Sequence, residues 1–408
     1  MRKSFYLILF LIIIAVPAVS LTVDEAASEA IGNNPQVAVA EKRWTAAKAE
    51  SISSTTWDDP MIELMYEQIP QTSLDLSAAG MKMYGFSQKV PFPGSLRIKR
   101  SVFDDKAKTA YEQYRQQKNE IVAQVKTAYY KLYFIEKSIA INSENKGLLE
   151  KLRKSAEARY IVGGAPQHDV LKAQIELSLL INDLITLEQK KKTAAARLNY
   201  LLNRNEGKAF EIAKEMNIPE RNLDIGELKK LALSKRPELL AAEHSVSAGS
   251  HALTMMKLKL LPDFKVSFWQ RQMGNGQLDG YNASFMANLP LWFWKEKAEI
   301  DAASEQKESL EQNLENIRQK VDFEVQEAYE KVDSSRRLVK LFKSSILPQA
   351  RQMLRSASQA YEADKIDFLT LINSYKIYQD AMLKYYKNLS ELGINMAELE
   401  RVAGGDLF

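Results

Sequence analysis

The chain has no cysteine, and that absence excludes disulfides, thiolate metal centres and lipid attachment to an N-terminal cysteine. Histidine is almost missing as well, with three in 408 residues. His244 and His251 stand seven apart on a helical pattern, two turns along one face, too distant to chelate one metal without another ligand. No glycine-rich phosphate loop follows a strand and no catalytic constellation is visible, so the sequence reads as neither an enzyme nor a cofactor-binding protein. Charge of one sign is lacking too: 56 basic and 52 acidic residues leave a net charge of +4, without the global field that attracts nucleic acid. Beyond residue 20 no run approaches eighteen apolar residues, so no bilayer-spanning helix is expected there. Glycine (16) and proline (12) are scarce while alanine, leucine, glutamate, lysine and glutamine abound, which is the composition of a mostly helical chain.

Residues 1–20 have the form of a secretory signal. Arg2 and Lys3 precede an apolar core from Phe5 to Val19, and Ala18-Val19-Ser20 offers a small-residue cleavage site, so the mature chain is expected to start near Leu21. An uncleaved anchor helix would need a longer apolar run.

The mature chain is duplicated. Leu21 to Glu41, "LTVDEAASEAIGNNPQVAVAE", aligns with Leu223 to Glu243, "LDIGELKKLALSKRPELLAAE": Leu21 falls on Leu223, Glu25 on Glu227, Pro35 on Pro237 and Glu41 on Glu243 at one constant offset. The repeats are assigned to 21–222 and 223–408. In the first, Thr22 and Glu25 spell a capping box that starts a helix, which Asn33, Asn34 and Pro35 interrupt before a second helical pattern.

Pro60 and Pro262 occupy equivalent places, each followed by alternating segments. Strands are expected at about 61–69 and 81–90 in the first repeat, and at about 263–272 and 281–289 in the second. Ile62, Leu64 and Tyr66 share one face against Glu63 and Glu67, and Lys82, Tyr84, Phe86, Gln88 and Val90 form a more mixed face. Phe264, Val266 and Phe268 are set opposite Lys265, Ser267 and Gln270, with Trp269 as the exception; Tyr281, Ala283, Phe285, Ala287 and Leu289 oppose Asn282, Ser284, Met286 and Asn288. Each pair makes a hairpin, the later one turning through "MGNGQLDG".

Both hairpins exit through proline, in "SQKVPFPGSL" and "NLPLWFWKEK", into helix-forming runs. Ser95 to Tyr160 has only Gly147 as a breaker and Lys295 to Tyr361 only Pro348; at 1.5 Å per residue such a run extends ~100 Å if continuous. The return legs carry coiled-coil spacing: Leu177, Leu180, Leu184, Leu187, Lys191, Ala194, Leu198 and Leu201 in one, interrupted only by Lys191, and an unbroken series from Phe368 to Leu399 in the other. Outbound, Ile121, Val125, Ala128, Leu132, Ile135 and Ile139 follow the same rule. The fold class is therefore mainly α with membrane β, each half a β-hairpin plus a long helical hairpin, at about 95–203 and 295–401.

Four strands with unlike faces cannot close a barrel, since closure takes about eight. An oligomer that pools strands, apolar side to lipid and polar side to water, solves this, with eight strands from two chains or twelve from three. A water-soluble sheet with one buried face has the same alternation.

The duplicated start, the exits "FSQKVPFPG" and "NLPLWF", the turns "ARYIVGGAPQHDVLKAQ" (Ala158 to Gln174) and "QAYEADKIDFLTLI" (Gln359 to Ile372), and the closing "LERVAGG" together resemble the TolC outer-membrane efflux proteins over essentially the whole mature chain. The resemblance implies a homotrimer: a 12-stranded barrel in outer-membrane lipid, continued by an α-helical tunnel through the periplasm. It also implies two partners, a periplasmic adaptor (membrane fusion protein) and an inner-membrane pump. "GMKMYGFSQKVPFPG" and "DFLTLINSYKIYQDAMLKYYKNLSELG" look most like the branch serving heavy-metal pumps of the resistance-nodulation-division (RND) class. Many relatives carry a lipidated N-terminal cysteine; here the barrel alone must anchor the protein.

Under this resemblance the barrel-to-tunnel transition falls at Pro91, Pro93, Gly94 and Pro290, and the periplasmic entrance at the two helical turns. Tyr160, Gly163 and Asp169 in the first turn, and Tyr361, Asp364, Lys365 and Asp367 in the second, match the gating positions. Three copies would set rings of carboxylates around an opening, favouring cations. The alternative for Asp169 and Asp367 is N-capping of the returning helices. Asp364 stands where many relatives have glycine, so the second turn is expected to differ in shape. Met81 with Met83, and Met61 with Met65, suggest soft-metal contacts, though packing alone accounts for scattered methionines. The expected activity is passive conduction of efflux substrate, heavy-metal cations first, with drug efflux and type I protein secretion as alternatives. A periplasmic helical adaptor would have one hairpin flanking compact β-domains, not two related ones.

Overall fold

The computed structural model describes residues 21–71, 75–205, 211–213, 215–216, 224–273, 279–405 and 407. The leader at 1–20, most of the "MGNGQLDG" turn, the repeat boundary at 222/223 and the terminal Phe408 lie outside the described residues.

Each repeat opens with two short helices. In the first, α1 (Val23–Asn33) starts at the Thr22 capping box: the Glu25 amide donates to Thr22 Oγ1 (3.3 Å) while the Thr22 amide donates to Glu25 Oε2 (2.8 Å). Asn34 ends α1 and caps α2 (Pro35–Ser53), accepting from the Gln36 amide at 2.8 Å and donating to the Leu201 carbonyl at 2.8 Å. The second repeat places α5 (Ile225–Lys235) and α6 (Pro237–Leu258) likewise, with Asp224 as the cap.

The long helices follow. α3 runs unbroken over Ser95–Ile161 and returns as α4 (Gln167–Leu201). α7 (Phe293–Leu341) reaches α8 (Leu347–Glu362) through a π-helical turn at Phe342–Ile346, and α9 (Phe368–Ala403) returns. Pro348 therefore does not break the second rod. Its ring has no amide and would crowd the carbonyl one turn back; the wider π turn, where the Leu347 amide donates to the Phe342 carbonyl, absorbs that misfit.

The seams pack as the spacing requires. Ile121, Val125, Leu132, Leu198 and Leu201 join α1 residues in one core, and Val321, Val325, Leu392 and Leu399 join α5 residues in its counterpart. Lys191, the polar interruption, meets Glu136 across the α3–α4 seam at 3.1 Å. A third core, around Phe368, Leu371, Ile372 and Tyr361, fastens the far ends of the two helical hairpins to each other.

The two β-hairpins form one antiparallel sheet, β1 (Met61–Glu67), β2 (Met81–Val90), β3 (Phe264–Met273) and β4 (Gly280–Ala287), in sequence order. β1 is two residues shorter than expected, and Gln68 turns out of it with φ 56°. β2 and β3 stitch the repeats together, Val90 opposite Phe264 and Met81 opposite Met273. This register aligns Ile62, Phe86, Phe268 and Ala283 in one row, and Leu64, Tyr84, Gln270 and Tyr281 in the next. Gln270 thus belongs to the apolar face, not opposite Phe268 as expected, because strand parity puts it there.

Trp269 lies on the polar face. It reaches over β2, where Gly85 has no side chain to block it: a Cβ on Gly85 would stand 2.1 Å from Trp269 Cδ1. Its indole N–H donates to Glu63 Oε2 at 3.0 Å, and Lys265 and Ser87 hold the other carboxylate oxygen at 2.8 and 2.6 Å. The polar face is consequently a hydrogen-bonded surface spanning three strands. The other face leaves Ile62 83% and Phe285 68% exposed, and β1 and β4 are open edges.

Candidate functional site

The two turns at the far end of the rods have the same backbone. After α3, the Gly163 amide donates to the Tyr160 carbonyl (3.0 Å) and Gly164 to Arg159 (2.8 Å); after α8, Asp364 donates to Tyr361 (3.2 Å) and Lys365 to Ala360 (2.8 Å). Both are Schellman motifs with a left-handed residue at their centre, Gly163 at φ 75° and Asp364 at φ 54°. The second turn therefore keeps its shape despite carrying aspartate. Glycine accepts this backbone freely, whereas aspartate does so at a cost of about 1 kcal/mol.

A residue that sequence reasoning missed offsets that cost. Arg159, in the last turn of α3, ion-pairs with the Asp364 carboxylate, donates from Nη2 to the Tyr361 carbonyl at 3.0 Å, and lays its guanidinium 4.4 Å from the Tyr361 ring centre. One side chain thus ties the first turn to the second. Tyr361 itself is buried at 6% exposure with its ring edge-on to Phe368, and burial pushes its phenol up. Tyr160 is 45% exposed, so the two tyrosines are not equivalent.

The aspartates differ as well. Asp367 is the exposed N-cap of α9, accepting from the Thr370 amide at 2.8 Å; its hydrogen bonds with Thr370 hold the carboxyl below the usual aspartate range. Asp169 is no cap. Pro166 holds that position in α4, and Asp169 lies buried in the first turn with Oδ1 3.0 Å from His168 Nδ1. Lys365 closes its turn through its amide, with its side chain exposed. Behind the tips, buried Glu176 on α4 joins Lys172 (2.9 Å) to Lys376 of α9 (2.7 Å); burial pushes its carboxyl up, but the two lysines outweigh that and hold it low.

At the other end of the rods, Pro91 closes the β2–β3 ladder because it has no amide to continue it. Pro93 precedes Gly94, whose φ of 93° turns the chain into α3. Pro290 bends the second exit, with the Leu291 amide donating to Leu289 across it (2.9 Å). Asp263 ties the exits together: Oδ1 accepts from the Phe92 amide (3.1 Å) and its backbone carbonyl from Asn288 (3.0 Å). A single aspartate beside a strand gave no signal in the sequence. Among the described residues no group of three or more His, Cys, Asp or Glu is placed to hold a metal, and no helix is long and apolar enough to cross a membrane. His251 faces Asp105, 3.6 Å away.

The model of the outer membrane efflux protein family matches this chain twice, over residues 26–204 and 228–405, once for each repeat. The chain belongs to the outer membrane efflux protein family. Several solved structures share its fold. VceC, an outer membrane protein of Vibrio cholerae, superposes with a TM-score of 0.80 at 14% identity, covering 94% of this chain and 96% of its own. The outer membrane channel CmeC of Campylobacter jejuni gives 0.78 at 12% identity, with 94% and 85% covered. CusC, whose structures concern folding and transmembrane channel formation, gives 0.80 at 15% identity, with 95% and 93% covered. Comparison with curated proteins yields no significant match. Family membership locates the protein in the outer membrane.

Proposed function

We propose that the protein is the outer-membrane channel of a tripartite efflux system, working as a homotrimer with a periplasmic adaptor and an inner-membrane RND pump. The observation that carries this reading is the four-stranded sheet with two open edges and unlike faces. In lipid every backbone donor and acceptor must be paired, so edges β1 and β4 require strands from other copies. Three copies supply twelve strands from four each, enough to enclose a water-filled lumen.

Conduction is passive. The polar face lines the lumen, the rods continue it through the periplasm, and the paired turns at the tips narrow its entrance. Adaptor and pump bias the tips from closed to open packing, a population shift between two arrangements of the same helices. Heavy-metal cations are the proposed cargo, supported by the resemblance of the β2 stretch and of α9 to the metal-exporting branch, and exposed Asp367 favours cations at the opening. Native mass determination in detergent tests the assembly, and planar-bilayer recording tests the pore. A trimer with stepwise potassium conductance is expected; a stable monomer without conductance would refute the reading.

A further inference from the structure

The sheet sorts its thioethers. All six strand methionines, Met61, Met65, Met81, Met83, Met273 and Met286, stand on the face that carries Glu63, Lys265 and Trp269. None stands on the opposite face among the exposed Ile62, Leu64, Phe86 and Phe285, where a side chain wanted only for its hydrophobicity belongs. Methionine differs from those residues in its flexible unbranched chain and in its thioether sulfur, which is neutral, polarizable and a ligand for soft cations.

Register concentrates them. Met65 pairs directly with Met83, and one row further from the rods Met81 pairs directly with Met273. Paired Cβ atoms on neighbouring strands lie about 5 Å apart, and three rotatable bonds let both sulfurs of a pair reach one ion. Rows on this face are ~7 Å apart along the strands, and the row between Met61 and Met65 carries Glu63, Gly85, Trp269 and Asn282, so the longest step spans two rows, ~14 Å. Asn282 Nδ2 rests 3.8 Å from Met83 Sδ, leaving that sulfur with only a weak donor. At the rod-proximal end, Met61 and Met286 line a cavity of about 520 Å³ together with Asp58, Asp59 and Asp263, where Lys89 is paired with Asp263 and Lys265 with Glu63.

We propose that these methionines form a stepped coordination path for soft monovalent metal ions, Cu(I) or Ag(I), running from Met61 and Met286 to the four thioethers near the outer rim. The path rests on the channel reading in one respect, that this face lines the lumen. Neutral thioethers bind such ions without the grip of thiolates, and conduction needs sites an ion can leave.

The test uses the full chain purified in detergent, with silver nitrate in chloride-free buffer as probe, manganese(II) as the hard-ion control, and equilibrium dialysis with X-ray absorption as readouts. Silver with a sulfur first shell is expected, weakened about tenfold or more in M65L/M81L/M83L/M273L and unchanged in M353L on α8, while manganese gains no sulfur ligand. A wild-type first shell without sulfur, or a quadruple variant that binds silver like the wild type, overturns the proposal. Potassium conductance of the quadruple variant reports its folding; if that is lost, M83L alone takes its place and must weaken binding. Wild-type protein that binds silver yet conducts no potassium would sink the channel reading and leave the metal site standing.

Discussion

Replacing Arg159 with alanine unfastens the two turns from each other. The ion pair to Asp364 is worth well under 1 kcal/mol, because that carboxylate is 80% exposed. The charged hydrogen bond to the Tyr361 carbonyl adds ~1 kcal/mol, and the guanidinium over the Tyr361 ring adds ~0.5 kcal/mol. Together R159A should loosen the tip by about 2 kcal/mol, or roughly thirtyfold in the population of the opened turn. D364G behaves differently. It sheds the same ion pair but also relieves the left-handed strain at φ 54°, so the two changes nearly cancel. Hydrogen exchange at the Gly163, Gly164, Asp364 and Lys365 amides, all bonded in the turns, reads the effect directly. Faster exchange and higher open probability in bilayers are expected for R159A, with D364G close to wild type. If R159A exchanges like wild type, or D364G is the more damaging, the clamp is not what holds the turns together.

Asp367→Ala should lower the cation-over-anion permeability ratio in bilayer recordings, whereas Asp169→Ala, buried against His168, should leave it unchanged. Equal effects would contradict the exposure difference between the two. Acid should loosen the α4–α9 contact through Glu176. Its carboxyl is held low in the folded state, so its contribution is full above the ordinary glutamate value of about 4.3 and is lost as pH falls through the lower folded value. Thermal unfolding followed from pH 6 down to about pH 3 should show this step in the wild type and a smaller one in Glu176→Gln.

The elements were largely legible because each depends on neighbours within one turn or one strand. Thr22 and Glu25 cap each other three residues apart, and the leucines of α4 state their seam by spacing alone. The errors lie where partners are distant. Gln270 was set opposite Phe268 although strand parity puts both on one face, and Trp269, the exception to the alternation, makes sense on a polar face only once Gly85, on another strand, is known to leave room beneath it. Asp364 was expected to reshape its turn, but Arg159 is 205 residues away in the chain. Asp169 was offered as a cap by proximity to the helix start, and the start lies three residues earlier, at Pro166. Asp263 and Arg159, which each bridge the two repeats at opposite ends of the rods, had no local signature.

The two rods of the chain are not equally stiff. α3 is an unbroken spar, while its counterpart carries a notch at Phe342–Ile346 where the turn is over-wide. A sideways load on the far end concentrates flexure at that notch, so the second hairpin swings while the first stands as its strut.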